Sequence, residues 1–148
     1  MTGEFGVSVP WPAGHGAVVR RLAAIAERAV AAQPEADVAI RACGIVGTVP
    51  SHVAMRLGET LRTYSQLYHE AEALETGPSP ELAAVRRNLL ELLSYHLHML
   101  RDAGDLVFSG REVPRNERFR LELAKGLGSR ADDLKALHDQ LIWDRLDT

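Results

Sequence analysis

Residues 57–103, LGETLRTYSQLYHEAEALETGPSPELAAVRRNLLELLSYHLHMLRDA, decide the fold. Leu57, Leu61, Tyr64, Tyr68 and Ala71 step by four, three, four and three, the spacing of a packed helical seam. Gly77-Pro78-Ser79-Pro80 then breaks the pattern, with Ser79 able to cap a helix that has Pro80 at its first position. Beyond it Leu82, Val85, Leu89, Leu92/Leu93, His96, Leu100 and Ala103 form a second stripe. A short loop makes the two helices antiparallel neighbours. That register sets Tyr64 about one turn from His96 across the seam.

The same reasoning extends outward. Val18, Leu22, Ile25, Ala29 and Ala32 predict a helix from Ala17 to about Ala32, ended at Gln33-Pro34 because proline lacks a backbone donor. Asp37 to Val46 reads as a short helix with Val38, Ala42 and Ile45 inward, or as a buried strand. Thr48 and Pro50 open the helix that runs to about Glu75. A final helix spans about Asn116 to Trp143 along Phe119, Leu123, Leu127, Ala131, Leu134, Leu137/His138 and Leu141, and Gly126 and Gly128 weaken its middle. Residues 1–16 hold four Gly and two Pro and read as an irregular arm. The expected fold is all-α: an up-down antiparallel helical bundle of about four long helices plus one short helix, one domain over 17–148, preceded by the arm.

Composition agrees. At 148 residues, 46% hydrophobic and only 5% aromatic, the chain suits one aliphatic helical core. The net charge of −3 gives no general attraction to nucleic acid or anionic membrane. No stretch approaches the ~20 apolar residues of a membrane span and no secretory leader is visible, so a cytoplasmic location is expected. Cys43 is the single cysteine and sits among apolar neighbours, where a thiol is inert.

Chemistry-bearing patterns are few. No Glu-x-x-His occurs, as carboxylate-bridged metal bundles need; Gln66-x-x-His69 swaps the carboxylate for an amide. His96 and His98 point about 200° apart on a helix. No metal site or cofactor is expected. Nor is there a nucleophile elbow, a phosphate loop or a dinucleotide fingerprint.

Four candidate regions remain. Tyr64, Tyr68, Tyr95 and His96 could form a ligand pocket, against the simpler reading of a buried, hydrogen-bonded histidine. Arg111, Arg115, Arg118 and Arg120 make a basic patch, suited to a solvated helix start or to an acidic or phosphorylated ligand. Leu141, Ile142, Trp143 and Leu146 exceed what one helix face must bury and suggest an interface. Val38 to Leu57 has the outline of a helix-turn-helix, with Arg41, His52 and Arg56 for phosphates. Together these lead to the expectation of a non-enzymatic interaction or regulatory module, a homo-oligomer with a possible cytoplasmic protein partner. The alternatives are a small-molecule-binding or catalytic bundle using the Tyr/His pocket, and a weak DNA binder.

Overall fold

The computed structural model describes residues 15–43, 51–109 and 122–146, and every element in them is helical. α1 spans His15–Ala31, α2 Gln33–Cys43, α3 Ser51–Ala73, α4 Pro80–Ser109 and α5 Ser129–Leu146. Four are long and α2, at 11 residues, is short, so the chain is an all-α helical bundle. α3 and α4 form the antiparallel hairpin, α1 packs chiefly on α5, and α2 lies against α3 and α4. The N-terminal arm lies outside the described residues, as do the Arg111, Arg115, Arg118 and Arg120 patch and Phe119.

The hairpin is held at its turn by the residues that announce it. Ser79 Oγ accepts from the Leu82 N–H at 3.2 Å, an N-cap that satisfies one of the orphan donors of α4. Gly77 takes a left-handed φ of 65°. Arg86 reaches back to donate to the carbonyls of Glu72 (3.0 Å) and Leu74 (3.2 Å), closing the C-terminal end of α3. Between the helices lies an aliphatic core of Leu57, Leu67, Leu82, Leu89, Leu92, Leu93, Leu97 and Leu100, joined by Leu22, Ile25 and Ile40 from α1 and α2 and by Leu134, Leu137 and Leu141 from α5. Each such side chain contributes about 1.5–3 kcal/mol through burial.

Two local outcomes depart from the periodicity. α2 begins at Gln33, with only Ala32 between it and the end of α1, because Pro34 in its first turn donates no bond to the preceding turn and so bends a path that otherwise continues. The buried face of α2 is Gln33, Ala36, Ala39, Ile40 and Cys43. Val38, expected inward, is 58% exposed; Ala42 is half-buried and Ile45 lies outside the described residues. Val38 does not set the face: Ile40 does, together with the small residues Ala36, Ala39 and Cys43, which let α2 sit close against its neighbours.

The expected final helix is broken. Residues 122–124 form a helical turn that ends through bonds from the Lys125 and Gly126 N–H groups, and α5 starts afresh at Ser129. Gly126 (φ 74°) and Gly128 (φ 70°) are both left-handed. Their surroundings differ: a Cβ on Gly128 would meet open space, whereas one on Gly126 would run into the Asp37 carboxylate and the Arg41 guanidinium. Gly128→Ala should therefore cost only the left-handed penalty, about 1 kcal/mol. Gly126→Ala should cost clearly more; urea denaturation of the two variants, side by side, reads the difference, and equal losses would contradict the close approach.

Candidate functional site

The break between Gly126 and Gly128 is a built turn. The Leu127 N–H donates to Asp37 Oδ1 at 2.9 Å, and the Leu127 carbonyl accepts from the Tyr95 hydroxyl at 3.0 Å. Its side chain is buried in the core. One residue of the turn is thus fastened by α2, by α4 and by its own burial. Asp37 Oδ2 in turn accepts from Arg41 Nε at 2.7 Å, one helical turn along α2.

Beneath the turn lies a polar strand of contacts through the aliphatic core. The Tyr64 ring stacks on His96, centroids 5.1 Å apart and planes 26° from parallel. The Tyr64 hydroxyl donates to the Ala29 carbonyl at 2.7 Å, near the end of α1. His96 Nδ1 lies 2.7 Å from the Leu92 carbonyl and Nε2 lies 3.2 Å from Gln33 Nε2. A carbonyl can only accept, so Nδ1 carries the ring proton and Nε2 accepts from the Gln33 amide. Gln33 Nε2 donates its second hydrogen to the Ala131 carbonyl at 3.0 Å. The reversed amide would set two oxygens against each other there, so the orientation is settled by its partners.

This arrangement decides the condition of His96. The ring is wholly buried, and burial pushes its pKa below the ordinary value, with the Leu92 hydrogen bond opposing. It stands neutral, with both nitrogens engaged inside the chain. Burial also pushes the Tyr64 hydroxyl far up. Both groups act as struts: Tyr64 carries a polar contact from α3 to α1, and His96 carries one from α4 to α2. Tyr95 belongs to the same assembly through the turn. Tyr68 does not; it is half-buried on α3 and meets His69 edge-on.

One member of the network, Gln33, borders a surface cleft. Between α2 and the start of α5 is a cleft of about 550 Å³ lined by Val30, Gln33, Pro34, Asp37, Arg41, Lys125, Leu127, Gly128, Ala131, Asp132 and Lys135. Lys125 and Lys135 are the only two lysines among the chain's 17 basic residues, and both are here. Lys125 lies 3.5 Å from Glu122 in an exposed pair. Gln33 is the buried polar residue of the lining, and its Oε1 has no partner among the described residues.

The remaining expectations find different places. Leu141 is in the core, Ile142 is half-buried and Trp143 is 58% exposed; the Leu146 side chain falls outside the described residues. Arg41 is held by Asp37, and α3 continues for 23 residues after the connecting segment 44–50, which is not among the described residues. Cys43 is buried, which pushes its thiol pKa up and keeps it protonated. Among the described residues no group of three or more His, Cys, Asp or Glu is placed to hold a metal ion, and no helix is long and apolar enough to cross a membrane.

Sequence reasoning passed over Gln33 and Asp37. Asp37 and Arg41 do show the i, i+4 spacing of an ion pair, the one signal available. Comparison with protein-family models, with curated proteins and with solved structures returns no match.

The neutral His96 sets a pH dependence. Its folded pKa is below the unfolded value of about 6.5, so between the two the unfolded chain binds more protons. Stability is full above that value and falls as pH drops below it, by at most about 1.4 kcal/mol per pH unit. Denaturation midpoints at pH 7.5, 6.5 and 5.5 should show the fall in the wild type. His96→Met should be less stable at neutral pH yet lack most of this slope; an unchanged slope would assign it elsewhere. Tyr95→Phe, which strips the Leu127 carbonyl of its partner, should cost about 1 kcal/mol in the same assay.

Proposed function

We propose that the chain is a small-molecule-binding helical bundle whose site is the cleft between α2 and the start of α5. The observation that carries this reading is the gathering of Arg41, Lys125 and Lys135 around a concavity whose wall also includes the buried Gln33. Its volume of about 550 Å³ is that of a site for a small organic ligand. The pinned turn supports the same reading: a site on a wall fastened by Asp37 and Tyr95 is preorganised, so little ordering cost falls on the binding step. The Tyr64–His96 stack supplies the support beneath the site, and no role as a proton donor to a ligand is assigned to it.

A panel of small anionic, cationic and neutral metabolites, screened by thermal shift on the full chain, tests the reading. A ligand at 100 times its Kd stabilises by about 2.7 kcal/mol, a shift of several degrees for a chain of this size. Lys125→Glu combined with Lys135→Glu should leave the ligand-free melting temperature close to that of the wild type, because both side chains are exposed, and should abolish the shift. A stabilising compound that is indifferent to the double variant would place binding elsewhere.

A second reading rests on Trp143, the one aromatic among the large exposed hydrophobic side chains of the described residues. In it the chain is a non-enzymatic interaction module that pairs with another copy of itself through the face carrying Ile142 and Trp143. Native mass spectrometry then gives a dimer that Trp143→Ser converts to monomer; a monomeric wild type, or a dimer untouched by the substitution, removes this reading.

A further inference from the structure

We infer that His96 and Gln33 form a proton-operated switch: a proton taken from solvent at His96 Nε2 turns the Gln33 amide over and frees the start of α5 from α2. In the neutral arrangement one amide group serves two acceptors, with Gln33 Nε2 3.2 Å from His96 Nε2 and 3.0 Å from the Ala131 carbonyl. A proton on His96 Nε2 makes that nitrogen a donor, so two donors then face each other. Half a turn of the amide about its last side-chain bond sets Oε1 opposite the new N–H. Oε1 is available for this because it is buried and has no partner in the neutral arrangement. The same rotation sets Oε1 against the Ala131 carbonyl, and two acceptors hold nothing together. Gln33 thus exchanges links to α4 and α5 for a single charge-assisted link to α4.

The surroundings of the ring are built to hold the charge. Nδ1–H keeps the Leu92 carbonyl at 2.7 Å in either state. The Tyr64 ring is stacked on the imidazole with centroids 5.1 Å apart, within reach of a cation–π contact. Tyr95 meets the ring edge-on from α4 itself. From α2 comes Asp37, one turn beyond Gln33, with its oxygens on the Leu127 N–H and on Arg41. From α5 comes Asp132, which is exposed beside Ala131, and from α1 Arg28, exposed and paired with Glu70. No ion pair reaches His96 among the described residues. Burial lowers the His96 pKa, so the change falls below the ordinary histidine value of about 6.5. Burial raises both tyrosine hydroxyls, which stay neutral there. Gln33 and Ala131 both border the α2–α5 cleft, so the switch acts on its wall, and it operates whatever the cleft binds.

Nuclear magnetic resonance of the full chain tests this, with ¹⁵N in the histidine rings and glutamine amides and ¹³C in the alanine carbonyls. On titration from pH 7.5 to about 4.5, the His96 ring, the Gln33 amide and the Ala131 carbonyl are expected to shift together with one midpoint below about 6.5, while α3 and α4 keep their folded resonances. Hydrogen exchange at residues 133–136, corrected for the intrinsic rate, should quicken about tenfold over that range, more than in the α3–α4 core. Asp37→Asn, which keeps an acceptor for the Leu127 N–H, should retain these responses. In Gln33→Met the Ala131 carbonyl should lose its response although the ring still titrates; the wild-type titration distinguishes the outcomes even where this variant does not fold.

A ring that titrates while the Gln33 amide and the Ala131 carbonyl stay still overturns the switch, because the proton is then held without turning the amide. Native resonances that fade without shifting also overturn it, since His96 then gains its proton only on unfolding. Loss of the response in Asp37→Asn, or its survival at Ala131 in a folded Gln33→Met, assigns the release of α5 to another group and overturns it too.

Discussion

The Asp37 carboxylate is the constraint on which the rest of the arrangement hangs. It is a half-buried group near the start of a short helix, and each of its oxygens has a separate task. One holds the backbone of a turn 90 residues away, the other holds Arg41 on its own helix. The turn passes so close to α2 that a Cβ on Gly126 would collide with the Asp37 and Arg41 side chains. α5 leaves this turn and lies along α1, which brings the C-terminal part of the chain back over the N-terminal helices. A charge-assisted hydrogen bond to a backbone N–H is worth more than a neutral one, and it is directional where hydrophobic packing is not.

A second consequence concerns how polar groups cross an aliphatic core. Leucine and alanine dominate the interior, so each polar atom inside needs a partner brought to it by the fold. The bend at Ala32 to Pro34 does this for α1 and α2. It places Gln33 at the junction, within reach of both His96 on α4 and Ala131 on α5, while Tyr64 takes the Ala29 carbonyl from the other side. All five helices thereby contribute to directional contacts made by a few residues. The exposed Arg28–Glu70 pair between α1 and α3, at 2.9 Å, is screened by water and adds little by comparison.

The α3–α4 hairpin was legible because its information is local: a period of three and four, a Gly-Pro-Ser-Pro loop and a capping serine lie within 50 residues and point the same way. The weak point at Gly126 and Gly128 was legible for the same reason, but the helix expected to run through it breaks there, with both glycines left-handed. His96 could be placed beside Tyr64 because both sit on stripes of adjoining helices. The cleft was not legible. Gln33 earns its place through partners 63 and 98 residues distant, and Asp37 through one 90 residues distant. No periodicity carries such pairings. α2 was assigned the wrong face for a related reason: in a short helix rich in alanine the hydrophobic pattern is weak, and close approach to α3 and α4 selected Ala36 and Ala39 over Val38.

Gln33 shows why a structural requirement and a binding site can share one residue. The network needs a neutral group that donates twice, once to His96 Nε2 and once to the Ala131 carbonyl. Lysine would bring a buried charge, and a hydroxyl has a single hydrogen. A primary amide meets the need, but it cannot do so without also carrying an acceptor. That leftover Oε1, buried and unpaired, costs about 1–3 kcal/mol. Replacing Gln33 by an apolar residue would remove this cost only by stranding two other buried acceptors, which is worse.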